Sequence, residues 1–385
     1  MHIAVITAYP PSRGTLNEYG YHLVEAFRQN SAVSRVSVIA DRVPEAPRHK
    51  HVYRVWDFND PKNSQSILRI VRALKPDVVL FNLQFATFGD KRVPAALGLM
   101  APMLCRRAGF PTITLMHNLF ETIDLHKAGF KLSRVQEFIT RTAGRMFTRI
   151  LLQSSLVATT MPRYVEILRG SYGAENVFLA PHGTFTQPPE PAPLPETPTI
   201  MTFGKFGTYK TVDHLIEAHQ QLLTKNPDIQ LVIAGSDSPN AKGYLQSMRD
   251  KYQGARNIHY TGYVAEEGVP KVFQGSTVVA FPYNSTTGSS GVLHQAGEFA
   301  RGAVMPKIGD LKDLIEEEGY QAVYFEPENT ESLRDALWEV LSDLEKARSL
   351  GLNNFRVASG LLLSDVAEWY ILHFENLLRR SHGHS

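Results

Sequence analysis

The chain has 385 residues, 43% of them hydrophobic and 20% charged, with a formal net charge of +2. That length suits two α/β domains better than one core, and the near-neutral balance argues against a nucleic-acid partner. The single cysteine, Cys105, cannot form an internal disulfide and fits a reducing cytoplasm; its apolar neighbours predict a buried thiol, and no Cys/His cluster has zinc spacing.

The chain enters an apolar run at once, His2 to Thr7, with neither the basic start nor the cleavage site of a signal peptide. No apolar run reaches the roughly 18 residues of a membrane span, so the expectation is a cytoplasmic protein, at most peripheral to the membrane inner face. Further short runs follow at Val36 to Ala40, Val78 to Asn82, Thr112 to His117 and Leu156 to Thr160. Alternating with helix-period segments such as Glu18 to Gln29, they predict a parallel sheet covered on both faces.

Two loops in this half stand at strand ends. Tyr9 to Glu18 includes Gly14 and Asn17 and opens a helix, so its amides can face an anion or a hydroxyl; it lacks a Gly-x-Gly-x-x-Gly fingerprint and could equally be a plain turn. The strand ending in His117-Asn118 offers a histidine that could donate to a sugar hydroxyl or phosphate, act as a base, or simply bond the backbone. Downstream, Lys131, Arg134, Arg141, Arg145 and Arg149 run among Val135, Phe138, Ile139, Met146, Phe147 and Ile150. On a helix this gives a basic face beside an apolar one, suited to anionic lipid or to ordinary packing on the core with the arginines in water.

Six prolines between Gln187 and Thr199 interrupt the alternation. They predict a semi-rigid linker at 187–198, between an N-terminal Rossmann-like domain at 1–186 and a second one at 199–364. The second half reads as strands Thr199 to Phe203, Gln230 to Ala234, Val278 to Pro282 and Val323 to Phe325, with helices at Val212 to Leu223, near Gly291 to Ala300, and at Glu331 to Leu344. Its first strand leads into Gly204-Lys205-Phe206-Gly207-Thr208-Tyr209-Lys210, where two lysines beside a helix start suit a diphosphate. Asn284 to Val292 is rich in Ser, Thr and Gly and runs into a helix, a place where a ligand can approach the backbone. The amphipathic segment 365–385 is expected to be a helix packed back on the domains. Two facing halves would place a ligand in the cleft between them.

The second half resembles the retaining GT-B glycosyltransferases of family 4 (glycosyl transferases group 1), most specifically from Thr199 to Pro327. That family's Gly-Arg-Leu-x-x-x-Lys-Gly segment corresponds to Gly204-Lys205-Phe206-x-x-x-Lys210-Thr211. Leu231 to Gly235 looks like its strand ending in glycine, and Gly262-Tyr263-Val264 like its Gly-x-Val segment. The resemblance implies a GT-B fold and a metal-independent, hexosyltransferase-type enzyme that moves a sugar, with retention, from a nucleoside-diphosphate sugar to an acceptor hydroxyl in glycan, polysaccharide or glycolipid synthesis. Residue by residue it implies His117, Lys205 and Lys210 as catalytic; Gly14, Gly204, Ser289, Ser290, Gly291 and Val292 around the donor diphosphate and sugar; Gly235, Tyr263, Val264 and Glu298 around the nucleoside; and Asn17 and Asn118 on the acceptor side. No cofactor beyond the nucleotide-sugar is implied, and the acceptor is a glycan, a lipid-linked sugar or a small molecule. The family's two glutamates are absent: Ser289 and Gly297 stand at their positions, and Glu298, one residue late, is turned by about 100° on a helix. Two other readings share these features, a GT-B nucleotide-sugar epimerase and a non-catalytic binding or scaffold protein of the same fold.

Overall fold

Strands such as His2–Ile6 and Val78–Leu83 are buried at every position, as expected where helices cover both faces of a parallel sheet. The computed structural model describes residues 1–12, 16–44, 46–47, 49–119, 134–238, 240–285 and 290–382. These fall into two compact units, one comprising 1–119, 134–185 and 362–382, the other 186–361.

In the first unit β1 (His2–Ile6), β2 (Arg35–Asp41), β3 (Val52–Trp56), β4 (Val78–Leu83), β5 (Thr112–Met116), β6 (Leu156–Thr159) and β7 (Val177–Leu179) form one sheet in the order 3-2-1-4-5-6-7. All its pairings are parallel. The connecting helices are α1 (Asn17–Gln29), α2 (Asn63–Leu74), α3 (Arg92–Gly98), α4 (Ala101–Arg107), α5 (Arg134–Leu151) and α6 (Pro162–Tyr172).

The second unit repeats the scheme. Here β8 (Thr199–Phe206), β9 (Gln230–Asp237), β10 (Ile258–Gly262), β11 (Val278–Ala280), β12 (Gly302–Pro306) and β13 (Ala322–Phe325) lie in the order 10-9-8-11-12-13. Helices α7 (Asp213–Leu222), α8 (Tyr244–Lys251), α9 (Val269–Gln274), α10 (Gly291–Glu298), α11 (Gly309–Glu318), α12 (Thr330–Leu341) and α13 (Leu344–Ser359) connect them. The helix expected from Glu331 to Leu344 is two: α12 stops at Leu341, and Asp343 caps α13 by accepting from the Lys346 N–H at 3.0 Å.

The last helix, α14 (Leu363–His382), belongs to the first unit. Phe27 of α1 meets its Tyr370 and Phe374 with ring centroids 6.2 and 6.3 Å apart, and Trp369 donates to the Leu179 carbonyl at 3.1 Å. In each sheet the strand order reverses beside the first strand, between β1 and β4 and between β8 and β11. Open α/β sheets hold ligands at the carboxyl ends of strands at such a switch point.

Candidate functional site

At the second switch point β8 runs out through Gly204 and Lys205, and Gly204 pairs with Gly235 on β9. Both glycines have positive φ, 139° and 138°, and a Cβ on Gly235 would stand 1.9 Å from the Gly204 carbonyl oxygen. No side chain fits there, so the strand ends expose bare backbone. The loop after β8 is stitched to the segment after β11: Lys210 bridges Tyr283, and the Asn284 N–H donates to the Tyr209 carbonyl at 3.0 Å.

This stitching turns Lys210 back over the strand end. Its Nζ lies 4.7 Å from the centroid of the Tyr283 ring and 5.9 Å from that of Tyr209, and a Cβ on Gly204 would meet it at 2.9 Å. The side chain is half-buried and, among the described residues, has no carboxylate or hydrogen-bond partner. Aromatic faces hold an ammonium without neutralising it, so the charge stays available to an anion.

Ser290 lies beside the Tyr283 hydroxyl and occupies the N-cap position of α10 with extended backbone and no side-chain cap bond. Leu293 and His294 donate back to its carbonyl at 2.9 and 3.4 Å. The N–H groups of Gly291 and Val292 are therefore the helix's outward donors. Lys205 is exposed on β8, Tyr263 is exposed after β10, and Val264 packs against the apolar core. The Gly235 N–H donates to Thr261 Oγ1 at 3.3 Å.

Glu298 lies at the other end of α10 from Ser290. Implied as a nucleoside ligand, it is buried there, about 12 Å along the helix from Ser290, and its Oε1 accepts from Thr186 Oγ1 at 3.0 Å. A Cβ on Gly297 would already touch the Asn354 carbonyl oxygen at 2.8 Å and Tyr320 at 2.9 Å. Packing against α13 thus leaves no room for a side chain where the family carries its second glutamate. Gly14, Ser289 and Lys131 lie outside the described residues.

At the first switch point, His117 follows β5. Its Nε2 is 2.6 Å from Asn82 Oδ1, and Asn82 Nδ2 donates to Thr7 Oγ1 at 3.0 Å. Tyr19 of α1 sets its ring edge-on to His117, centroids 4.7 Å apart, and also packs on His182. Burial, with His182 nearby, pushes the His117 pKa down to about 3. The ring is therefore neutral at neutral pH. Asn118 accepts from the Phe85 N–H at 3.4 Å, and Asn17 donates to the Ser12 carbonyl at 2.7 Å, so both brace loops.

Sequence reasoning missed Thr7, Tyr19, Asn82 and Tyr283. Asn82 did leave a signal, a polar residue inside the apolar run Val-Val-Leu-Phe-Asn-Leu, since a buried polar group is informative where a buried leucine is not.

Residues 197–343 match the family Glycosyl transferases group 1. A curated relative, alpha-D-kanosaminyltransferase of Streptomyces kanamyceticus, is 26% identical over 165 residues, 42% of this chain and 40% of that protein, so the match spans about two fifths of the relative's length. Among solved structures, sucrose-phosphate synthase from Thermosynechococcus elongatus has a TM-score of 0.74 at 19% identity, covering 100% of both chains. The Anabaena HepE protein in complex with UDP-glucose has a TM-score of 0.73 at 14% identity, covering 98% of this chain and 100% of that one. The fold is GT-B, two Rossmann-like α/β domains with parallel sheets.

Proposed function

We propose that the chain is a glycosyltransferase that takes a hexosyl group from a nucleoside-diphosphate sugar and passes it, with retention, to an acceptor hydroxyl in glycan, polysaccharide or glycolipid synthesis. The group 1 match supports the transferase class, and the HepE structure with UDP-glucose supports the donor class. The observation that carries the donor reading is the Lys210 ammonium, without a carboxylate among the described residues and propped on Tyr283 at the end of β8 in the same unit as the α10 amides. Negative charge growing on the departing diphosphate would be met by Lys205, Lys210 and the Gly291 and Val292 N–H groups. No resident cofactor or metal is assigned a step, so activity is expected to survive chelation with EDTA.

A panel of UDP, GDP and ADP and their sugars tests this by thermal shift and calorimetry. One nucleoside diphosphate is expected to stabilise the protein, and Lys210→Ala to weaken its binding by roughly 1.5–3 kcal/mol, the worth of a charged hydrogen bond. No stabilisation by any of them at millimolar concentration would overturn the donor site. Turnover of the nucleotide-sugar without an acceptor would move the reading to an epimerase, and binding without turnover to a scaffold role.

The outer face of α5 we assign to an anionic lipid surface. Phe138 and Met146 are 70% and 52% exposed, eight residues apart and therefore on one face, with Arg145 and Arg149 exposed beside them. Exposed apolar side chains among arginines fit a negatively charged headgroup layer. No helix among the described residues is long and apolar enough to cross a membrane.

A further inference from the structure

We propose that Thr7 and Asn82 are positioning residues that lock His117 in the Nε2–H tautomer, so that the ring offers a bare Nδ1 lone pair to a ligand hydroxyl and repels an anion. The polarity of the relay starts from a group with no proton to give. Thr7 Oγ1 lies 2.9 Å from the Ala8 carbonyl oxygen, which can only accept, so the threonine hydroxyl donates there. Thr7 is fully buried, and Gly20 of α1 lies so close over it that a Cβ on Gly20 would stand 2.2 Å from Thr7 Oγ1. The hydroxyl proton therefore has no water to turn to.

With its proton committed, Thr7 Oγ1 receives the Asn82 amide N–H at 3.0 Å. That orients the amide, because an asparagine with Nδ2 toward Thr7 presents Oδ1 on its other side. Asn82 is itself buried, and its Oδ1 lies 2.6 Å from His117 Nε2. A carbonyl oxygen at that distance requires a proton on Nε2. In a neutral imidazole the other nitrogen is then an acceptor, and Nδ1 has no hydrogen-bond partner among the described residues. The four groups span the carboxyl ends of β1, β4 and β5, the switch point of the first sheet.

The consequence is a choice of ligand chemistry. A bare lone pair accepts a hydrogen bond from a sugar or other alcohol hydroxyl, whereas a phosphate oxygen beside it meets only repulsion. Of the two ligand groups that the sequence left open for His117, the relay selects the hydroxyl. That assignment rests on the glycosyltransferase reading; the tautomer does not.

Long-range ¹H–¹⁵N correlation of protein labelled at histidine reads the tautomer directly, with the His117 signals assigned from their loss in His117→Gln. The expected result is a protonated Nε2 and an unprotonated Nδ1 across the neutral range, unmoved by inorganic phosphate. Thr7→Val frees the Asn82 amide to rotate and is expected to mix the tautomers, while Thr7→Ser restores the bias. Asn82→Asp, keeping the shape but adding charge, is expected to make imidazolium appear near neutral pH. An Nδ1–H or evenly mixed tautomer in the unaltered protein, an unchanged tautomer in Thr7→Val, or protonation of His117 by phosphate would each overturn the relay. These spectra need no substrate. A nucleotide-sugar that stabilises the protein but leaves Nδ1 unmoved would defeat the hydroxyl contact alone, and a failed nucleotide panel would leave the tautomer result standing.

Discussion

Among the described residues Arg301 is the bulkiest of the fully buried side chains, and it has no carboxylate beside it. Its Nε donates to the Phe273 carbonyl at 3.1 Å, Nη1 to those of Ala192 and Ala300 at 3.0 and 3.3 Å, and Nη2 to those of Pro193 and Gln274 at 3.1 and 2.7 Å. The five N–H groups of a guanidinium thus meet five backbone acceptors. Burial pushes its pKa down to about 10, still far above neutral, so the charge is kept and dispersed over carbonyl dipoles. Two of those carbonyls belong to the proline-rich segment 187–198, which this side chain holds to the second unit together with Leu194, packed on the core, and Pro198, whose carbonyl accepts from the Gln230 N–H at 2.9 Å. Arg301→Met is expected to lower stability by about 3 kcal/mol or more, because several buried acceptors lose their donor. Arg301→Lys, with three donors on a point charge, is expected to recover only part of it. Urea unfolding followed by tryptophan fluorescence measures both.

At the scale of elements, α5 and α10 show how a helix can be legible in pattern and illegible in purpose. The alternation of arginines and apolar residues on α5 is plain in the sequence, but only burial shows that Phe138 and Met146 lie on the exposed face rather than in the core. The protein is expected to sediment with vesicles containing phosphatidylglycerol and not with pure phosphatidylcholine. Phe138→Ser with Met146→Ser, or raised salt, is expected to reduce that binding several-fold. Equal binding to both vesicles, or to neither, would remove the lipid assignment. For α10 the serine-rich start was visible, and so was the missing glutamate pair. The reason for Gly297 was not, since it lies in the approach of α13, a helix some fifty residues later in the chain.

On the scale of the whole molecule, buried titratable groups are expected to pull stability in opposite directions as pH changes. In the first unit, burial holds the pKa of His117 at about 3 and of His182 at about 4, against an ordinary 6.5. The unfolded chain binds more protons between those values, so these two groups lower stability as pH falls below about 6.5. In the second unit, burial, with Glu317 adding repulsion, raises the Glu318 pKa from 4.5 to about 8. Here the folded state binds the extra proton, so this group lowers stability as pH rises from about 4.5 to 8. Glu318→Gln is expected to remove that second slope and to stabilise the protein at pH 7 on the order of 2 kcal/mol; calorimetric scans from pH 4 to 8 measure both effects. The sequence by itself determined the alternation of strand and helix, the restart after the prolines, and the two lysines at and just beyond the end of β8, because periodicity and turn residues act over a few positions. It passed over β3, β7, β10 and β12, short strands whose pairing partners supply the missing order. Tertiary structure alone decided that Lys210 folds back onto Tyr283, that Glu298 turns to Thr186, and that Thr7, Asn82 and His117 form one directed chain. Each of these depends on strands brought together from distant parts of the sequence, and a hydrogen bond acquires its direction only when both ends are in place.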